Sequence, residues 1–246
     1  MNISTLGFDA VDSTNTVAAA HARSGAAEGL CILARQQSAG RGRHGRTWIS
    51  EPDSGLYLSI ILRPKIEPRF ITLITLMAGI AAYDTIAEYG VEPDIKWVND
   101  ILVGEDKICG ILAESIETKT GLAVILGIGI NLTSSSFPVD LRARATSIEM
   151  KTGKNVAPAE IAAHLTRHLT AFYKLLSDGA YGAIIDHWRQ RSSYYSEKAV
   201  RIESHGETFA GVTDGLEPNG ALRVRMDDGS GRIVESADVS RLRSRD

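Results

Sequence analysis

Residues 38–50 read SAGRGRHGRTWIS, in which Arg41, Arg43, Arg46 and His44 are set between Gly40, Gly42 and Gly45 with no acid in the stretch. Glycine tolerates positive φ and lets a backbone fold closely over a ligand, so cations spaced by glycines predict a mobile anion-binding loop. The glycines also match G-x-G-x-x-G after the apolar run 30–34, and the fold class turns on whether that match is accepted. A dinucleotide-binding unit needs the third glycine to open an amphipathic helix, with an acid about 20 residues further on. Here RTWISEP follows, then a strand-like LYLSIIL that runs into Arg63 with no acid at its end. No Gly-Lys-Ser/Thr follows either, which excludes a P-loop. By itself the loop reads either as a solvated or nucleic-acid-touching segment or as a catalytic anion site.

The chain has 246 residues, enough to bury a sizeable core in one large domain or two unequal ones. Its 27 basic and 30 acidic residues give a formal charge of −3, so there is no global attraction to DNA or membrane and any polyanion site is local. Cys31 and Cys109 sit in apolar runs without C-x-x-C spacing and read as buried thiols in a reducing cytosol. The N-terminus lacks the basic region and apolar core of a signal peptide. The longest uncharged stretch, 70–83, is shorter than the ~18 to 20 residues that cross a bilayer. These features predict a soluble, cytoplasmic protein.

Upstream of the loop, residues 3–8 form a candidate strand, and Asp12, Ser13, Thr14 and Asn15 precede a helix over 16–23. Capping employs one or two such side chains, and the excess suits a polar ligand head group. The run 30–34 reads as a buried strand that delivers Gln36 and Gln37 to the loop. Downstream, 55–62 is a strand, and 70–89 is a helix apolar almost all round, closed by Gly90 and buried against a sheet. Residues 94–132 read as a meander of strands central in that sheet, with turns at Asn99-Asp100, 104–106 and 120–121. Lys107 and the Asn99-Asp100 pair are the polar interruptions. Pro158 opens a helix with a stripe of Ile161, Leu165, Leu169, Phe172 and Leu176. His164 and His168 on it have metal-ligand spacing, but Leu165 replaces the glutamate of H-E-x-x-H, so they read as surface residues. A last helix spans 181–191 with Trp188 as anchor.

Past Tyr195 the pattern changes to short strands, AVRIES, ETFAGVTDG, GALRVRMDDG and GRIVES, which indicate a small antiparallel barrel. Residues 196–246 carry 8 Lys/Arg and 10 Asp/Glu, whereas a nucleic-acid-binding barrel carries a basic face.

Four blocks in order, STN at 13–15, QQSAGRGRHGRTW at 36–48, KWVNDILV at 96–103, and KICGILAE with GIGINL downstream, resemble the biotin protein ligase family. Val98 departs from the family, which has proline before Asn-Asp. The resemblance implies an α+β fold: a class II aminoacyl-tRNA synthetase-like catalytic domain over 1–194, a mixed sheet covered by helices, and an SH3-like barrel over 195–246. With STN starting at Ser13, the resemblance is to the monofunctional ligase rather than to members with an N-terminal DNA-binding domain. It also implies the activity, in which biotin and ATP form biotinyl-5'-AMP, pyrophosphate leaves, and the biotinyl group passes to a lysine of a biotin carboxyl carrier domain of a carboxylase.

The resemblance assigns Ser13, Thr14, Asn15, Gln37 and the backbone around Arg41 and Gly42 to the biotin head group. Arg43 and Lys107 are expected at the α-phosphate and carboxylate, Arg46 at the outgoing phosphates, and Trp48 and Asn131 near the adenylate. Gly110, Gly127 and Gly129 are expected to line the pocket, with Asp100 facing the carrier lysine. ATP with Mg2+ and biotin are substrates, and neither a permanently bound cofactor nor a dedicated metal site is expected. DNA and membrane are not expected partners, and a homodimer is compatible with the sequence. A lipoate or other acyl ligase of related architecture and a nucleic-acid-binding protein are the alternative readings.

Overall fold

The computed structural model describes residues 1–137, 144–204, 206–235 and 237–241. Seven strands, β1 (Ser4–Val11), β2 (Leu30–Gln37), β3 (Gly55–Leu62), β4 (Asp94–Lys96), β5 (Asp100–Val103), β6 (Asp106–Thr118) and β7 (Gly121–Asn131), form a mixed sheet in the order β1-β2-β3-β7-β6-β5-β4. Helix α1 (Thr14–Arg23) is the crossover that lets β1 and β2 run parallel. All other neighbours are antiparallel. All eight residues of β3 are buried, as a strand covered on both faces requires.

One face of the sheet is covered by α2 (Thr72–Ala87), with α4 (Pro158–Ser177) and α5 (Tyr181–Arg189) packed on it. Leu73, Ile74, Leu76, Met77 and Ile80 of α2 are fully buried, because the helix is enclosed by sheet on one side and helices on the other. Each such side chain contributes about 1.5–3 kcal/mol by leaving water. The segment Pro68–Ala87 is long and apolar enough to cross a membrane, but 67% of its most apolar window is buried here. The α4 stripe Ile161, Leu165, Leu169, Phe172 and Leu176 is buried as its spacing predicts, and Trp188 is fully buried. His164 and His168 lie one turn apart on α4. Both meet Glu88 at the end of α2, at 2.5 and 2.8 Å, beside Arg167. Burial raises the Glu88 carboxyl, and these three partners outweigh it and hold it at about 2.

The structure departs from the sequence reading in several places. Helix α1 starts at Thr14, two residues early, and Ser13 at its N-cap position makes no side-chain cap bond. Ser13 therefore does not cap the helix, and Thr14 and Asn15 turn their side chains to Gln37, Ser59 and Glu114 instead. Within the meander β7, β6 and β5 are interior, as expected, while β4 is the edge strand. A short α3 (Ile148–Thr152), capped by Ser147, was too brief to show a period. In the tail, β8 (Ser196–Ser204), β9 (Glu207–Leu216), β10 (Leu222–Arg225), β11 (Gly231–Val234) and β12 (Asp238–Arg241) form an antiparallel sheet ordered β11-β10-β9-β8-β12. The strand β12 went unread, and residues 242–246 of the tail lie outside the described residues.

The second sheet is seated on the first layer by the β9–β10 turn. Gly220 there has φ +86°, and a Cβ on it would come within 2.8 Å of Leu76 Cδ1 and 3.0 Å of Leu73 Cδ2. Its carbonyl accepts from Trp97 Nε1–H at 3.0 Å. One hydrophobic cluster runs without a break from α2 and β3 into Val200, Ile202 and Val224. Replacing Gly220 with valine forces a β-branched residue into a left-handed conformation and wedges the contact. A loss of about 3 kcal/mol is expected in urea unfolding. An unchanged midpoint would show that this turn does not hold the sheets together.

Candidate active site

The end of β1 and the start of α1 place Ser13, Thr14 and Asn15 in the interior, each under 5% exposed. Thr14 donates twice to Gln37 Oε1, from its N–H at 2.8 Å and its hydroxyl at 3.1 Å. Ser59 on β3 bridges Thr14 and Asn15, its hydroxyl 2.7 Å from Thr14 Oγ1 and donating to Asn15 Oδ1 at 2.5 Å. The Asn15 amide donates to Glu114 Oε2 at 2.7 Å, and the Gln37 amide to Ser50 Oγ at 2.8 Å. Both amides are thereby oriented, which makes the cluster a prearranged polar cage.

The loop closes on itself through Gly42 N–H to Arg46 carbonyl at 2.7 Å and Trp48 N–H to Gly40 carbonyl at 2.9 Å, with His44 at φ 55° in the turn between them. Its acid-free sequence is misleading about its surroundings. Arg41 pairs with Glu114 of β6 at 2.8 Å, Arg46 pairs with Asp238 of β12, and Arg43 donates to Asn99 Oδ1 at 3.1 Å and to the Ala237 carbonyl at 3.3 Å. Burial lowers the pKa of the Arg43 guanidinium from its usual value, and it remains charged, as arginine does in proteins.

Three glycines explain how the floor of the site is built. A Cβ on Gly129 would lie 2.5 Å from Trp48 Cε2, one on Gly110 2.8 Å from Trp48 Cζ3, and one on Gly127 3.0 Å from Asn15 Cγ. The indole and the amide therefore rest directly on the β6–β7 backbone. Beside them Lys107 Nζ lies 5.4 Å from the Trp48 ring centroid and 2.6 Å from Asp100 Oδ1. Lys96 Nζ lies 3.3 Å from Asp100 Oδ2. Burial pushes the Asp100 carboxyl up, but the two ammonium groups outweigh it and leave it below the ordinary carboxylate value.

Cage, loop and lysines surround one cavity of about 370 Å3. The cavity brings together every nominated residue except Asn131. The Asn131 amide is buried and donates to the backbone carbonyls of Thr146 and Lys107, so it ties β7 to neighbouring chain rather than facing the space. The sequence reading missed Lys96 and Tyr57 in the walls, and Arg201, Glu203 and Asp238 from the second sheet. Lys96 sits inside the KWVND block and could have been read from it. Tyr57 is hidden in an all-buried strand, and nothing local marks the second-sheet residues. Among the described residues no group of three or more His, Cys, Asp or Glu side chains could hold a metal ion.

An enclosed polar cage that opens onto a cationic, glycine-hinged loop is a site for a molecule with a hydrogen-bonding head and an anionic end. Residues 7–131 match the biotin/lipoate A/B protein ligase family. The chain belongs to that family. Its relatives include the biotin--[acetyl-CoA-carboxylase] ligase of Mycobacterium tuberculosis, 34% identical over 242 residues covering 94% of this chain and 86% of that one. The bifunctional ligase/repressor BirA of Bacillus spizizenii is 33% identical over 235 residues, covering 94% of this chain and 72% of that one. The biotin protein ligase of Aquifex aeolicus, solved in complex with biotin and ATP, superposes with a TM-score of 0.84 at 25% identity, over 98% of this chain and 99% of that one.

In this ligase-family chain, the Arg46–Asp238 contact is a half-exposed tie between the loop and the second sheet. A pair of that kind contributes at most about 1 kcal/mol. Asp238→Asn should speed hydrogen exchange of residues 40–48 by less than about tenfold while leaving β6 and β7 unchanged. Exchange in the loop that does not respond would mean the loop is held by its internal bonds alone.

Proposed function

We propose that the chain is an ATP-dependent biotin protein ligase, acting in the cytoplasm, that makes biotinyl-5'-AMP and passes the biotinyl group to a lysine of a biotin carboxyl carrier domain. The observation that carries this reading is the single cavity joining the Thr14–Asn15–Gln37 cage to Arg43 and Lys107. The biotin carboxylate is its own nucleophile toward the α-phosphorus, so no serine, cysteine or histidine is required. The protein holds two anions together and offsets the charge that grows on the phosphoryl oxygens. Arg43 and Lys107 meet the α-phosphate, Arg46 the departing pyrophosphate, and Asp100 the acceptor lysine. Magnesium enters as part of the ATP complex.

The cage also selects biotin over lipoate. A ureido head has donors and acceptors to exchange for the bonds the cage groups make to one another, whereas a dithiolane ring has none to offer them. Residues 1–194 act as the class II synthetase-like catalytic domain and 195–246 as an SH3-like barrel whose Ala237–Ser240 segment covers the cavity. Incubation with biotin, ATP and a carrier domain should add one biotinyl group by intact mass, and lipoate in place of biotin should add nothing. A carrier left unmodified by biotin, or modified by lipoate alone, overturns the reading.

Two variants divide the roles of the cations. Lys107→Ala should slow pyrophosphate release about 100-fold at saturating biotin, a loss near 3 kcal/mol, with biotin affinity unchanged. Weaker biotin binding at an unchanged maximal rate would assign Lys107 to the ground state. Arg43→Gly should still form adenylate through Lys107 but release it early, because a buried cation and its anchors to Asn99 and Ala237 are lost together. Serum albumin added to the reaction should then acquire biotin that the unaltered chain does not deliver. No gain in albumin labelling would move adenylate retention to Arg46 or Trp48.

A further inference from the structure

Lys96 lines the same cavity and has no part in the roles above. It stands directly across the β4–β5 ladder from Asp100, so the sheet register fixes one against the other. Lys107 is differently placed. Its ladder partner is Leu102, it reaches Asp100 from β6, and its side chain is 34% exposed against 21% for Lys96. The two oxygens of Asp100 are divided between them, Oδ1 to Lys107 and Oδ2 to Lys96. One carboxylate between two ammonium groups is a cationic trio, and a third ammonium gains nothing by approaching it.

An acceptor lysine arrives as an ammonium. Resting on the ligase reading above, we propose that Lys96 is a positioning residue of the transfer step: it keeps Asp100 an anion after Lys107 has turned to the adenylate phosphate, so that Oδ1 receives the acceptor ammonium. The cavity then admits the acceptor only once adenylate is present. The acceptor ammonium gives one proton to Asp100, and the nitrogen lone pair attacks the biotinyl carbonyl carbon. The carbonyl carbon–oxygen bond to phosphate breaks, AMP leaves with that electron pair, and the second nitrogen proton goes to solvent, followed by the one held on Asp100.

The titratable and charged groups facing Asp100 are Lys96 from β4, Lys107 and Cys109 from β6, and Arg43 from the loop. When adenylate draws Lys107 and Arg43 to its phosphate, Lys96 alone opposes the burial that favours the neutral acid. Removing Lys96 therefore raises the pH at which Asp100 becomes an anion in the loaded enzyme. The low-pH limb of transfer must move upward, and adenylate formation has no such requirement.

The test uses the full chain with biotin, ATP and an unmodified biotin carboxyl carrier domain, measuring pyrophosphate exchange and single-turnover transfer from preformed adenylate separately across pH. In Lys96→Met, transfer should fall about 10- to 100-fold while exchange changes less than about threefold. The low-pH limb of transfer should rise by about one unit. Lys96→Arg, which keeps the cation, should restore both rate and limb. Equal slowing of both half-reactions with an unmoved limb would overturn the proposal and make Lys96 structural. Should the methionine variant fail to fold, Lys96→Gln carries the same comparison. Absence of adenylate from the unaltered chain would instead overturn the ligase reading beneath it.

Discussion

The site depends on the absence of three Cβ atoms. Trp48 and Asn15 can lie against the β6–β7 backbone only because Gly110, Gly127 and Gly129 leave it bare. Placing any side chain there would lift the indole or the amide by the thickness of a methyl group. The cavity has about 370 Å3 to share between the polar cage and the cationic end, so such a lift would take space from it. The glycines weaken the strands by roughly 0.5–1 kcal/mol each. The long β6–β7 ladder, in register from Cys109↔Ile130 to Thr118↔Gly121, and the covered β3 beside it offset that cost.

Upon this floor the protein keeps several cations close together without an anionic ligand, and it does so with carboxylates borrowed from distant strands. Glu114 and Asp238 hold Arg41 and Arg46, and Asp100 holds Lys96 and Lys107. The two arginine pairs are half-exposed, so each is weak and readily exchanged for a phosphate. Asp100 is different, because its carboxylate is 17% exposed and removing both partners would leave a buried charge uncompensated. Exchangeable pairs at the rim and the Lys96–Asp100 pair in the interior let the loop open while the interior stays charged.

The sequence made the local parts of this arrangement legible. β3 was read to the residue, α2 and α4 followed from apolar spacing and Pro158, and the buried thiols followed from their apolar neighbours. What could not be read was every contact that spans the chain. Nothing near Arg46 announces Asp238, which is 192 residues away, and nothing near Gly127 announces Asn15. In the polar 12–15 cluster the sequence shows more side chains than capping needs, and only the fold shows that those of Thr14 and Asn15 turn to Gln37 and Ser59. Asn131 stands apart from the cavity lining. It belongs to a block that resembles a ligase motif, yet its amide is consumed by backbone carbonyls.

The route by which the second sheet reaches the site follows from these long contacts. The Gly220 turn seats that sheet on α2, and Trp97 binds its carbonyl from the segment just before Asn99 and Asp100. β12, antiparallel to β8 through Asp238↔Glu203, then carries Asp238 to the cavity mouth against Arg46. Trp97 is thus shared between the seating of the sheet and the chain that bears Asp100. A displacement of the second sheet would act on both ends of the cavity at once, on the loop through Asp238 and on the lysine pair through Trp97.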